Sequence, residues 1–99
     1  MATTENVAVH VTFTVRSGME AQAREAFAEL VENSLKDAGC MQYDMHVSVE
    51  DGLRYMLYER WESEELLRAH QDAAWMKEFG PKLEAVLAGP PVITDWKPL

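Results

Sequence analysis

The sequence predicts an α+β fold of ferredoxin-like type, a four-stranded antiparallel sheet with its helices on one face. Three observations predict it. Hydropathy switches between a two-residue and a helical period in the order β-α-β-β-α-β. The two middle strands are separated by the tight-turn pair Asp51-Gly52. The chain has 99 residues, too few for two hydrophobic cores, so residues 1–99 read as one domain.

The elements follow in order. Val7, Val9, Val11, Phe13 and Val15 alternate with Ala8, His10, Thr12 and Thr14, a strand with one apolar and one mixed face. Ser17-Gly18-Met19-Glu20 has the spacing of a capping box, with Ser17 as N-cap. The helix after it carries Ala23, Phe27, Leu30, Val31 and Leu35 on one stripe, and Gly39 stops it. A second strand runs from Cys40 to Val49, with Met41, Tyr43, Met45 and Val47 in one phase. The returning strand, Leu53 to Trp61, places Tyr55, Leu57, Glu59 and Trp61 opposite in phase to Arg54, Met56, Tyr58 and Arg60.

Ser63 can cap a second helical region starting near Glu64, with Leu66, Leu67 and His70 on its apolar side. Asp72 reads as a fresh cap, and Trp75, Met76 and Phe79 continue the stripe to a break at Gly80-Pro81. Leu83, Val86 and Leu87 complete it before Gly89-Pro90-Pro91, and Val92 to Trp96 is a last short strand. The second sheet face then carries His10, Thr12, His46, Met56, Tyr58 and Arg60. That mixture is too apolar for a wet surface, and a short chain gains by covering it, so a second subunit is expected there.

Composition narrows the function classes. Nine Lys and Arg against seventeen Asp and Glu give a net charge of -8, which argues against nucleic acid and anionic membranes as partners. Cys40 is the lone cysteine, so no intrachain disulfide and no cysteine zinc cage can form. His10, His46 and His70 show no metal-ligand spacing, and no phosphate-cradling glycine motif occurs; neither a metal nor a cofactor is implied. Met1 to Asn6 lacks the marks of a signal peptide, and no run approaches a membrane span, so a cytoplasmic protein is expected.

Five residues draw attention as chemistry. Glu59 lies in phase with Leu57 and Trp61, where a carboxylate is costly without a partner. It is either a structural carboxylate bonded to backbone N–H groups or an arginine, or a general acid/base raised by desolvation. His70 falls one turn after Leu66 and Leu67 and points at the sheet, as a satisfied core residue or a proton shuttle. Trp61 and Trp75, with Tyr43, offer flat apolar walls that serve equally as plain core or as the sides of an aromatic-ligand site.

The residues also carry a resemblance. The run Ala38-Gly39-Cys40-Met41-Gln42-Tyr43-Asp44-Met45-His46 resembles a stretch of the antibiotic biosynthesis monooxygenase family. So do Tyr58-Glu59-Arg60-Trp61-Glu62-Ser63-Glu64-Glu65, Ala69-His70-Gln71 and Leu87-Ala88-Gly89-Pro90. The resemblance implies two ferredoxin-like subunits forming a dimeric α+β barrel, with a pocket between sheet and helices in each. It implies His70 and Glu59 as the catalytic pair and Trp61 as a pocket residue; Tyr43, Val11, Leu57, Trp75 and Phe79 are expected beside Trp61 in the substrate site. Departures from the family pattern fall at Leu57, Leu67, Ala74-Trp75 and Gly80-Pro81.

The expected activity is a cofactor-independent oxidation of a quinol or polycyclic phenol to a quinone by O₂. The partners are then a small aromatic substrate and O₂, in a homodimer or higher homo-oligomer. Two alternatives stand beside it. One is a cofactor-free isomerase of a small phosphorylated carbonyl compound, which needs Arg54 or Arg60 to reach the pocket. The other is a non-catalytic binding module for stress response, whose mark would be Trp61, Trp75 and Phe79 filling the space between helices and sheet.

Overall fold

The computed structural model describes residues 5–99; residues 1–4, which belong to the stretch read above for a leader, lie outside the described residues. Seven elements follow one another: β1 (Val7–Thr14), α1 (Glu20–Leu35), β2 (Cys40–Val47), β3 (Arg54–Trp61), α2 (Glu64–Gln71), α3 (Ala74–Glu84) and β4 (Val92–Trp96). The strands form one antiparallel sheet in the order β2-β3-β1-β4, the ferredoxin-like arrangement.

Register decides which residues share a face. Val9 pairs with Glu59, Val11 with Leu57 and Phe13 with Tyr55, and Tyr43 lies across from Glu59 on the other side. These residues are buried beneath the helices. The alternate set, Tyr58 opposite His10 and Asp44, and Met56 opposite Thr12 and His46, lies on the second face. Its members are half-buried or exposed, and Gln42 Nε2 there donates to Asp44 at 2.6 Å.

The hairpin turn is built by side chains as well as by Gly52. Ser48 Oγ accepts from the backbone N–H of Glu50 and Asp51, and Asp51 Oδ1 accepts from Leu53 N–H at 2.9 Å. A core of aromatic contacts holds α1 to the sheet. The Phe27 ring lies 5.2 Å from Phe13 and 4.9 Å from Tyr55. Deleting such a buried ring costs about 3–5 kcal/mol.

Several local expectations are corrected. Helix α1 starts at Glu20 with Met19 as its N-cap, and no side chain caps it; Ser17 lies too far upstream, in a turn completed by Gly18 at φ +88°. The buried stripe of α1 includes Ala26 and Ser34, whereas Leu35 is exposed, because a 3.6-residue period carries Leu35 past the sheet-facing side. In β2 a bulge between Cys40 and Gln42 makes Met41 the extra residue and turns it outward, so Cys40 faces Trp61 across the strands.

The second helical region is two helices. Ser63 Oγ caps α2 by accepting from Leu66 N–H at 3.2 Å, as expected. Asp72 is the C-cap of α2, and Ala73 precedes α3 without a side-chain cap. Nor does Pro81 break α3, which continues to Glu84. Pro81 is solvent-exposed, so the carbonyl left without an N–H partner can be satisfied by water.

Candidate active site

A cavity of about 430 Å³ lies between the sheet and the helices. Its floor is Val9, Val11 and Phe13 of β1 with Leu57 of β3. Leu30 of α1 and Met76 and Leu83 of α3 cover it, and Pro91 and Ile93 border it from the β4 side. Into these apolar walls come four polar side chains: Tyr43, Glu59, His70 and Gln71. A small apolar chamber with a few convergent polar groups has the form of a small-molecule site. A larger hollow of about 710 Å³ between α1 and β2 is an open surface groove; Tyr43 is the buried titratable group it shares with the chamber.

Glu59 sits two residues from the C-terminal end of β3, between β1 and β2, and its side chain is buried. The indole Nε1 of Trp61 donates to Glu59 Oε1 at 2.8 Å. The two residues are i and i+2 on one strand, so their side chains share a face. Among the described residues no arginine pairs with this carboxylate. Burial pushes its pKa up to about 7, more than the Trp61 hydrogen bond lowers it, and the charge of Asp95 on β4 adds to the rise.

His70 comes from α2 and is buried. Its ring packs on Trp61 with centroids 4.5 Å apart and a 33° tilt, and edge-on to Tyr43 at 5.8 Å. On the other side, Nδ1 lies 2.7 Å from Asp37 Oδ2. Burial lowers its pKa, and the hydrogen bond and charge of Asp37 partly offset that. The imidazole is therefore predominantly neutral at neutral pH, the form that accepts a proton.

Tyr43 keeps its proton throughout the ordinary pH range. Burial, and then the nearby Glu59, raise its pKa far above the usual phenol value. The Ser34 hydroxyl lies near enough to pull it down slightly, yet makes no well-formed hydrogen bond. Cys40 is not a nucleophile at neutral pH, because burial pushes its thiol up to about 11.

Five residues expected at the site do line the cavity: His70, Glu59, Tyr43, Val11 and Leu57. Trp61, Trp75 and Phe79 do not. Trp61 is fully buried behind the chamber, where it holds Glu59 and supports His70. Trp75 donates its indole N–H to Asp37, at 3.2 and 3.3 Å from the two oxygens, and Phe79 packs beside it at 6.3 Å. The three rings leave the chamber open. Neither Arg54 nor Arg60 lines it; both belong to the other phase of β3.

Asp37 was not legible in the sequence. It lies in the short connection after α1, 33 residues from His70, where an Asp two residues before a glycine reads as an ordinary helix end. Gly39 at φ +85° makes the arrangement possible, since a Cβ there would come within 2.5 Å of Leu66 Cδ1 on α2. A signal existed only in retrospect, in the crowding of Asp37 and Gly39 just before β2.

An apolar chamber with a buried acid, a neutral imidazole and a protonated phenol holds the groups that proton transfer to a bound small molecule requires. Residues 6–82 match the family model described as antibiotic biosynthesis monooxygenase. The chain belongs to that family. Solved structures share its fold. A candidate antibiotic biosynthesis monooxygenase from Nitrosomonas europaea superposes with a TM-score of 0.89 at 21% identity, over 100% of this chain and 95% of the other. Rv0793 from Mycobacterium tuberculosis gives 0.86 at 24% identity, over 95% of each chain. PA3566 from Pseudomonas aeruginosa gives 0.87 at 25%, over 100% and 99%. No curated protein matches the sequence. Among the described residues no helix is long and apolar enough to cross a membrane.

Proposed function

We propose that the protein is a monooxygenase that oxidises a quinol or polycyclic phenol to a quinone with O₂, the substrate itself supplying the electrons. The observation that supports this most directly is the chamber of about 430 Å³ with His70 and Glu59 both in its wall. Its apolar sides suit a flat aromatic molecule, and its volume falls within the roughly 300–1,000 Å³ of small-molecule sites.

The chemistry balances for a phenol that also exists as a ring ketone. His70 takes the first proton, giving a delocalised anion against largely apolar walls. One electron passes to O₂, and the two radicals join to form a carbon–oxygen bond. The peroxide anion receives its proton back from His70. Loss of the remaining C–H proton and cleavage of the O–O bond leave a carbonyl and hydroxide. Hydroxide leaves as water after taking up that second proton. With a pKa of about 7, Glu59 can accept and return this second proton near neutral pH.

No arginine or lysine lines the chamber, which weakens the reading as an isomerase of a phosphorylated compound. Arg68 is the nearest cation along α2, and it is engaged with Asp95 at 2.9 Å and Gln71 at 2.8 Å. The mixed sheet face supports a homodimer formed by a second copy, which light scattering in solution tests.

The activity is tested by oxygen uptake of metal-free protein with menadiol, an anthrone and a wider quinol panel. Saturable uptake above the uncatalysed rate supports the reading. Uptake indistinguishable from buffer across the panel overturns it.

A further inference from the structure

We infer that Asp37 is a positioning residue for His70: it holds the imidazole as the Nδ1–H tautomer and leaves Nε2 as the basic nitrogen presented to the chamber. This deepens the proposed function, since it rests on His70 acting as the base there.

Three points carry the inference. The Nδ1 to Asp37 Oδ2 distance is 2.7 Å, the length of a strong hydrogen bond to a carboxylate. A carboxylate only accepts, so the proton of the pair belongs to Nδ1. No described residue bonds Nε2, while His70 lines the chamber. A neutral imidazole with its proton on Nδ1 is basic at Nε2.

Asp37 is itself held. Trp75 donates to both of its oxygens, from α3, so three elements converge on one carboxylate: the connection before β2, α2 and α3. That fixes the carboxylate before any substrate arrives. The arrangement also prepares for the charged state. When Nε2 gains a proton, the imidazolium finds Asp37 at one edge and the Trp61 ring 4.5 Å from its own. The titratable groups facing His70 are Asp37 from the connection, Tyr43 from β2 and Glu59 from β3, which shares the chamber wall. Of these, Asp37 is the one in contact with a ring nitrogen.

The pair is reachable from a second side. His70, Asp37, Ala38, Leu66 and Ala69 line a small cleft of about 90 Å³, separate from the chamber. Water can therefore approach the Asp37 end while the chamber is occupied.

The test is nitrogen NMR of the histidine side chains in 15N-labelled protein, wild type against Asp37→Asn and Asp37→Ala. In wild type, the His70 resonance set shows Nδ1 protonated and Nε2 bare. In Asp37→Asn, the amide turns its N–H toward Nδ1, because Trp75 N–H already claims an oxygen, and the His70 proton moves to Nε2. A wild-type His70 protonated on Nε2 overturns the inference, whether or not the variants fold. So does an unchanged tautomer in both variants, with circular dichroism showing an intact fold. If the protein turns over a quinol, Asp37→Asn lowers kcat at least ~10-fold with KM little changed. A correct tautomer without any oxygen uptake leaves the role of Asp37 standing and removes the oxidation chemistry instead.

Discussion

Glu59 and Trp61, two residues apart on one face of β3, form a buried acid–indole pair with the N–H donating at 2.8 Å. The indole is the carboxyl group's hydrogen-bond donor, yet burial outweighs it and the pKa stands at about 7. An acid kept protonated in this way is suited to proton transfer near neutrality and costs stability when it ionises.

The pH dependence of stability follows from that cost. The native state holds a proton on Glu59 up to about 7, whereas the unfolded chain releases it near 4.5. The contribution is therefore fully present below the unfolded value and is lost as pH rises from about 4.5 through about 7. The gap corresponds to roughly 3 kcal/mol. Glu59→Gln keeps an acceptor for Trp61 but cannot ionise. We expect it to raise Tm at pH 8 relative to wild type and to flatten the fall between pH 5 and 8, measured by thermal denaturation. An unchanged slope would remove Glu59 as the titrating group.

His70 controls turnover rather than binding in the proposed mechanism. His70→Asn retains a polar side chain of smaller size but no base. The expected loss in kcat is about 10²–10⁴-fold, with ligand affinity changed much less. Oxygen uptake reads the first quantity, and quenching of tryptophan fluorescence by a quinone reads the second. Equal losses in both would indicate a collapsed site.

Val11 forms part of the chamber floor and is buried. Val11→Phe places a ring into empty space instead of into packed core, so overpacking strain is small. Affinity for an aromatic ligand should fall about 10-fold or more, while Tm changes by only a few degrees. Calorimetric titration beside a thermal melt separates this from general destabilisation.

Gly39 lies at φ +85°, with Leu66 occupying the space where a Cβ would stand. Gly39→Ala combines left-handed strain of about 1 kcal/mol with a clash that moves α2. Stability should drop by more than about 1 kcal/mol in urea denaturation. His70 should also lose its Asp37 partner, read as the same tautomer change expected of Asp37→Asn. Gly52→Ala, with open space at its Cβ and no positive φ, serves as the control and should have little effect.

How much of this was legible varies by element. Strand phases were readable because alternation has a period of 2: Tyr55, Leu57, Glu59 and Trp61 all face inward as their spacing requires. The phase of β2 was misread at its start, since the bulge that turns Met41 outward depends on pairing with β3. Helix caps were half legible. Ser63 does cap α2, whereas Ser17 and Asp72 resemble caps without serving as N-caps, because nearby helices begin elsewhere. The tryptophans illustrate the same limit. Their apolar mass predicts burial, but not whether a ring walls the chamber or stands behind it.

What the sequence determined by itself was the succession of strands and helical regions, the inward face of each central strand and the inward side of one acid and one imidazole. Those are properties of local period and composition, which adjacent residues encode. Only the tertiary structure decided that a chamber remains between the rings and that Glu59 and His70 share its wall. It also decided that Asp37 completes the histidine. These depend on contacts across 33 and 38 residues of chain, where burial removes water and a few tenths of an ångström of packing separate a filled core from an open one.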